Sequence, residues 1–264
     1  MYQLKPNPIN TTRIIAVANH KGGAAKTTTA VNLAAGLVRR GRRVLLLDLD
    51  PQGNASSWLG ADAETSMFAV LAESRSIASQ LVQSSVPGLV VVPASQRLSA
   101  AERVLAGELA AETALSRRLE EADLTAWDYI ILDTPPALNL LTVNALAAAD
   151  EVLVPVEAHV LALSGVAQIV ATIGVVQSRL NPRLKLTGFV ICRFDTRTRH
   201  SADVRDRLVA KFGDQLLKTV IRENIRLAEA PSFSAPIDVY APNSPGAADY
   251  GALVSEIIAM EPAG

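Results

Sequence analysis

The chain has 264 residues, of which 49% are hydrophobic, 19% charged and only 4% aromatic. That is enough apolar chain for a large α/β core, and it excludes a disordered or fibrous polymer. A formal net charge of −1 excludes a globally basic nucleic-acid binder, so any DNA contact has to come from a local patch.

One cysteine, Cys192, excludes an internal disulfide framework and a C-x-x-C metal site. It follows the apolar run 188–191 and reads as a buried strand thiol. An intracellular, cytoplasmic protein is expected, with no apolar N-terminal segment of signal-peptide length. The uncharged run 160–178 approaches spanning length. Its Ser164, Gly165, Gln168, Thr172, Gly174 and Gln177 favour a helix packed on a sheet or at a subunit contact.

In chain order, residues 1–12 carry Pro6 and Pro8 and read as an irregular lead-in. Residues 14–18, I-I-A-V-A, predict a buried strand. Residues 28–40 predict a helix, with Ala30, Leu33, Ala34, Leu37 and Val38 on one face and Gly41 as its stop. Residues 44–50, V-L-L-L-D-L-D, predict a second buried strand ending in carboxylates. Short helices are expected at 67–72 and 77–82, a strand at 88–93, and one long exposed helix over 98–122 with Gly107 as its weak point. Strand 129–133, helix 140–149, strand 151–156, helix 164–180 and strand 186–192 follow. A basic loop at 193–200 leads to a helix over 202–212 capped by Ser201. A strand at 216–221 and a closing helix at 247–260 complete the pattern.

Strands alternate with helices, and most strands are continuous apolar runs. That predicts a mostly parallel twisted sheet with helices on both faces. Without repeats, low-complexity tracts or linkers, 1–264 reads as a single domain.

Between the first strand and helix lies N-H-K-G-G-A-A-K-T-T-T, Asn19 to Thr29. Strand, glycine turn and helix are the context of a phosphate loop. Gly22 and Gly23 allow close backbone approach, and the helix N-terminus adds partial positive charge. Lys26 is placed to neutralise terminal phosphates, and Thr27 to ligate Mg2+. Asp133, after Y-I-I-L, stands where an aspartate could hold the Mg2+ shell; the alternative is a strand-end aspartate capping the next turn. The carboxylates Asp48 and Asp50 also close a strand, where ligands of open parallel sheets bind.

The loop resembles the deviant Walker A motif K-G-G-x-x-K-[ST] of the ParA/MinD class of P-loop ATPases. His20 and Ala25 stand at the glycine positions of the common form. The resemblance implies a three-layer P-loop NTPase fold, ATP and Mg2+ as cofactors, and contacts to ATP from Lys21, Gly22, Gly23, Ala24, Ala25, Lys26, Thr27 and Thr28. Ala25 is expected at negative φ, with ATP binding retained. L-D-L-D-P-Q-G-N at 47–54 is similar to the ParA family's second motif. It implies Asp48 in the Mg2+ environment with Thr27 and Asp133, and Asp50 as the residue that orients the attacking water. Lys21 would reach a partner's nucleotide across an ATP-dependent homodimer, so that Lys21, Lys26 and Asp50 form the catalytic set. D-T-P-P at 133–136, L-T-V-N-A-L at 141–146 and R-L-A-E-A-P-S at 226–232 extend the likeness over nearly the whole chain. Asn224 matches the position that touches adenine, although Arg222-Glu223 replaces the usual proline-arginine. Ser164 and His159 are departures without an assigned role. His20 reads as a loop residue beside the nucleotide, since no second histidine sits at ligand spacing.

The family's ATP-bound dimer binds double-stranded DNA without sequence preference and is released when a ParB-type partner stimulates hydrolysis. Arg197, Arg222, Arg226 and Lys218 are the candidate DNA contacts, with a solvated surface loop as the alternative for the basic segment. With no helix-turn-helix extension before Arg13, the chain resembles the short, chromosomal Soj-like type; the DNA binding that the resemblance implies carries the expectation of nucleoid association. Residues 253–264 lack lysine and arginine, so membrane recruitment of the MinD kind is not expected. Two other readings stay open: a ParA-like ATPase positioning a different cargo, and a weakly hydrolysing nucleotide-dependent scaffold.

Overall fold

The computed structural model describes residues 12–61, 66–158 and 162–261. The predicted lead-in, but for Thr12, and His159 lie outside these residues, as does the side chain of Ser164.

The strands are β1 (Arg13–Val17), β2 (Val44–Asp48), β3 (Val82–Gln83), β4 (Leu89–Val92), β5 (Tyr129–Asp133), β6 (Glu151–Glu157), β7 (Lys185–Phe194) and β8 (Leu216–Arg222). They form one sheet in the order β3-β4-β2-β5-β1-β6-β7-β8. Every pairing is parallel except that of the two-residue β3 with β4. The sequence reading missed β3, which is too short to show a period.

The helices are α1 (Lys26–Arg39), α2 (Asn54–Trp58), α3 (Met67–Ala72), α4 (Leu98–Leu105), α5 (Ala114–Glu120), α6 (Leu140–Ala148), α7 (Ala162–Arg179), α8 (Arg199–Phe212), α9 (Ile225–Glu229), α10 (Ile237–Tyr240) and α11 (Pro245–Ala259). Alternate residues of each central strand enter opposite cores. Ile14 and Ala16 meet the core that includes α3 to α8; Ile15 and Val17 meet the one that includes α1, α2, α10 and α11. Burial on both faces explains the unbroken apolar runs. This is the three-layer P-loop NTPase architecture expected from the sequence.

The predicted long helix over 98–122 is two helices. The first ends at Leu105, and a 3-10 turn at Ala111–Thr113 precedes α5. Neither is a solvated rod: Leu98, Ala101, Leu105, Leu115 and Leu119 are buried. Asn144 on α6 fixes the break. Its Oδ1 accepts from the Leu115 amide, and its Nδ2 donates to the Ala111 carbonyl. The residues between 77 and 82 are likewise a 3-10 turn, Ile77–Gln80, followed by β3. Thr198, not Ser201, caps α8: the Thr198 hydroxyl accepts from the Ser201 amide, which leaves Arg199 and His200 in the first turn.

Parallel pairing brings the carboxyl ends of β1, β2, β5, β6 and β7 to one edge. Val17 pairs with Asp133, and Asp133 with Asp48. Glu157 pairs with Cys192. Helix α1 leaves that edge and packs on α11 at Gly36, where an added Cβ would lie 2.5 Å from Val254 Cγ2. Gly36→Ala should therefore lower stability by about 1–3 kcal/mol through overpacking, despite alanine's better helix propensity. A lowered urea midpoint with an unchanged slope is the expected readout.

Candidate functional site

The loop after β1 is fastened to β6. Asn19 Nδ2 donates to the Pro155 carbonyl at 2.6 Å, and Asn19 Oδ1 accepts from the Lys21 amide at 3.1 Å. Gly23 has φ 77°, and Ala25 is also left-handed at φ 62°. The expectation of negative φ at Ala25 is thus corrected. The residue before α1 closes the turn that brings the chain out of β1 into the helix, and that turn needs αL geometry whatever the residue. Alanine is strained there and glycine would not be.

Lys26 opens α1 and is 6% exposed. Its ammonium donates back to the Lys21 carbonyl at 3.2 Å. Burial lowers its pKa, and the charges of Asp133 and Asp50 oppose the shift. Asp48 and Asp133 are both fully buried. Asp48 is well bonded: Oδ2 accepts from the Ser56 amide and hydroxyl, and Oδ1 from the Asp50 amide. Burial still pushes its carboxyl up to about 6, against those bonds from Ser56 and Asp50 and with the nearby Asp50 charge. Asp133 differs, because neither carboxylate oxygen has a hydrogen-bond partner of good geometry among the described residues. Burial, then the Asp48 charge, drives its pKa well above the usual carboxylate range; Thr27 and Lys26 pull the other way. Asp50 is 5% exposed, and its Oδ1 accepts from the Gln52 amide.

The corner holds a desolvated ammonium, a hydroxyl at Thr27 and a carboxylate with no hydrogen-bond partner of good geometry among the described residues. An anion for Lys26 and a cation for Asp133 would satisfy both. Among the described residues no group of three or more His, Cys, Asp or Glu side chains could hold a metal. Mg2+ needs only one or two carboxylates, since water and phosphate oxygens complete its shell. His20 joins no such group. Burial lowers its pKa, an imidazole hydrogen bond to the Gln168 backbone on α7 opposes this, and Nε2 is buried without a partner.

Beside the loop opens a cleft of about 930 Å³, bordered by Gly23, Ala25, Thr28, Arg193, Asn224 and Tyr250 among others. Asn224 caps α9 through Oδ1, which accepts from the Arg226 amide, and leaves Nδ2 buried without a partner. Gly246 makes room for it, since an added Cβ would sit 3.3 Å from that nitrogen and 2.9 Å from Leu227 Cγ. Arg222, two residues earlier, is clamped on Asp249 with bonds of 2.7 to 3.1 Å. Cys192 is buried as expected, and its thiol is pushed up to about 12 by burial.

Three of the four predicted DNA-contacting cations are paired. Arg197 holds Asp195 at 2.9 and 3.0 Å, Arg222 holds Asp249, and Arg226 holds Glu229 at 2.8 Å. Lys218 is exposed on β8. Arg197 and Arg222 border the cleft, so they lie near the loop rather than on a separate face. Sequence reasoning missed Ser56, which fixes Asp48, and Glu157, whose Oε2 accepts from Lys21 Nζ at 2.8 Å. The second was legible only as a carboxylate at a strand end.

Fold and site together define a P-loop nucleotide-binding protein. A family model described as an AAA domain matches residues 12–186. The chain is 47% identical over 247 residues to the chromosome-partitioning ATPase Soj of Thermus thermophilus, covering 94% of this chain and 96% of that protein. It is 40% identical over 262 residues to the chromosome partitioning protein ParA of Caulobacter vibrioides, covering 98% and 97%. A solved structure described as cobyrinic acid a,c-diamide synthase from Mycobacterium smegmatis, with a bound ATP analogue and magnesium, superposes with TM-score 0.82 at 37% identity, covering 94% and 95%. The chain belongs to the ParA/Soj family of partitioning ATPases.

Two outcomes follow from the strained loop and the buried acids. Ala25→Gly should raise stability by about 1 kcal/mol, because relief of αL strain outweighs the extra entropy of unfolded glycine; thermal unfolding without nucleotide measures it. For Asp48 and Asp133, raised folded pKa values mean that the native state binds protons more tightly than the unfolded chain. Their contribution is most favourable below the unfolded value of about 4 and is lost as pH rises, for Asp48 through about 6. Asp133→Asn should accordingly be more stable than the parent at pH 7, by on the order of 1–3 kcal/mol, with the gap closing toward pH 4. Urea titrations between pH 4 and 7 check both sign and window.

Proposed function

We propose that this protein is a DNA-segregation ATPase of one domain, working as an ATP-dependent homodimer on nucleoid DNA in the cytoplasm. The observation that carries the reading is the buried corner in which Lys26 and Asp133 lack what a magnesium triphosphate would provide. The Soj and ParA relatives supply the biological context.

In this reading the amides of Gly22, Gly23, Ala24, Ala25 and Thr28 cradle the phosphates. Lys26 leaves the Lys21 carbonyl and neutralises the terminal phosphoryl oxygens. Thr27 and Asp133, with Asp48 beside them, would hold Mg2+, which supplies charge neutralisation at the phosphates. The Asn224 side-chain amide donates to the adenine ring from the cleft wall. Asp50 orients the attacking water, and the partner's Lys21 adds positive charge where it develops on the transferred group. Hydrolysis then depends on pairing of subunits, is slow alone, and is accelerated by a ParB-type protein that binds the paired form.

Non-specific DNA binding needs cations on phosphates rather than base reading. Arg197, Arg222, Arg226 and Lys218 are the proposed contacts. For the arginines, phosphates must compete with Asp195, Asp249 and Glu229.

Turnover and DNA retention test the reading. Lys26→Ala should lose ATP binding. Lys21→Ala should keep it and lose partner-stimulated turnover by about 10²–10³-fold. With ATP and Mg2+, wild-type protein should retain unrelated duplexes alike at 50 mM salt and release them steeply by 200 mM. Arg197→Ala and Arg226→Ala should weaken every duplex equally. Failure to retain any DNA at low salt would remove the segregation reading.

A further inference from the structure

We propose that Glu157 is a resting seat for Lys21: it holds this lysine inside its own subunit and sets how readily two ATP-bound subunits close on one another. The proposal rests on the reading above, in which Lys21 serves the partner's nucleotide.

The seat is built by topology. β1, β6 and β7 are adjacent, so the residues just past their carboxyl ends stand side by side. Lys21 follows β1, Glu157 ends β6, and Arg193 lies opposite on β7 beside Cys192, the register partner of Glu157. One carboxylate thus stands between two cations. Lys21 Nζ is 2.8 Å from Oε2, and Arg193 Nη1 is 3.3 Å from Oε1. The Glu157 side chain is 20% exposed, which shelters the pair from full solvent screening, while Lys21 at 38% has an open way out.

Two features make the seat a releasable one. Arg193 stays on the other oxygen when Lys21 departs, so Glu157 is not left as a buried charge without a partner. Arg193 is held there at φ 53°, a left-handed conformation unusual for a non-glycine residue, as found where geometry serves function. Lys26 couples the seat to nucleotide: its ammonium donates to the Lys21 carbonyl, and a triphosphate that draws Lys26 away also loosens the Lys21 backbone. Lys21 would then leave Glu157 for the more highly charged partner nucleotide only after its own subunit is loaded.

The test is ATP-dependent dimerisation of the full chain, measured by sedimentation with a non-hydrolysable ATP analogue and Mg2+. Glu157→Gln keeps shape and removes the charge. Release of one partly screened ion pair is worth about 3-fold per subunit, and a two-fold symmetric dimer releases two, so dimerisation should tighten about 10-fold. The gain should shrink at 0.5 M salt, because screening frees Lys21 in the wild type as well. Glu157→Asp, with its charge drawn back, should fall between. The gain should vanish in the Lys21→Ala background. Unchanged or weaker dimerisation of Glu157→Gln overturns the seat, as does a gain that persists without Lys21. If Lys21→Ala dimerises and turns over like the wild type, the underlying role of Lys21 fails instead. If Lys21→Ala loses stimulated turnover while Glu157→Gln gains nothing, only the seat fails.

Discussion

Lys26 and Asp133 occupy the same dry corner, and each is there at a cost. Lys26, at 6% exposure, has lost most of its water, and its ammonium donates to a backbone carbonyl rather than to a carboxylate. A carboxylate at zero exposure has no partner of good geometry among the described residues. Nothing about folding requires such a pair; apolar residues of similar volume would pack the same strand ends more stably. What the arrangement provides is a largely preorganised field that a magnesium triphosphate completes, at the cost of one bond from Lys26 to the Lys21 carbonyl. The strained Ala25 belongs with it, since the backbone is bent for the ligand rather than for alanine.

The rest of the molecule holds that corner rigid. Central β1 is covered on both faces, so the loop leaves from a strand with no freedom to shift. At the opposite edge Arg13 bridges Glu151, the Tyr129 hydroxyl and the Ile257 carbonyl, while Tyr129 donates to Glu261 and Arg42 pairs with the same carboxylate. Helix α11 connects the two ends. Asp249 clamps Arg222, Tyr250 shares a hydrogen bond with Thr29 under the cleft, and Glu256 accepts from the amides of Lys218 and Thr219 on β8. A helix that reads as a plain C-terminal cover is the strut between β8, the cleft and the base of the sheet.

The charges at the site's rim share a pattern. Lys21, Arg193, Arg197, Arg222 and Arg226 are all engaged by carboxylates of the same subunit. At this rim these five basic residues stand in pairs with carboxylates rather than as an open patch. Half-exposed pairs of this kind contribute little to stability, so a phosphate can displace the acid cheaply. Rim cations held in this way favour ligands that bring several negative charges at once.

Much of this was open to reading in one dimension. Continuous apolar strands alternating with helices demand a covered parallel sheet, and two lysines around a glycine pair, with D-L-D and Y-I-I-L-D at strand ends, mark a phosphate corner because spacing along the chain alone sets those local geometries. Helix 98–122 misled because its charged residues hide a buried face, and its break is made by Asn144, a residue more than twenty positions downstream of that break. The αL turn at Ala25 could not be read from alanine, whose intrinsic preference points the other way. That Asp48 is well bonded on Ser56 while Asp133 has no partner of good geometry among the described residues was decided only by packing, as was the meeting of Lys21 with Glu157 across 136 positions of chain. Local sequence determines backbone turns and strand ends; the partners of a charge are set by which strand lies next to which, and only the folded sheet order supplies that.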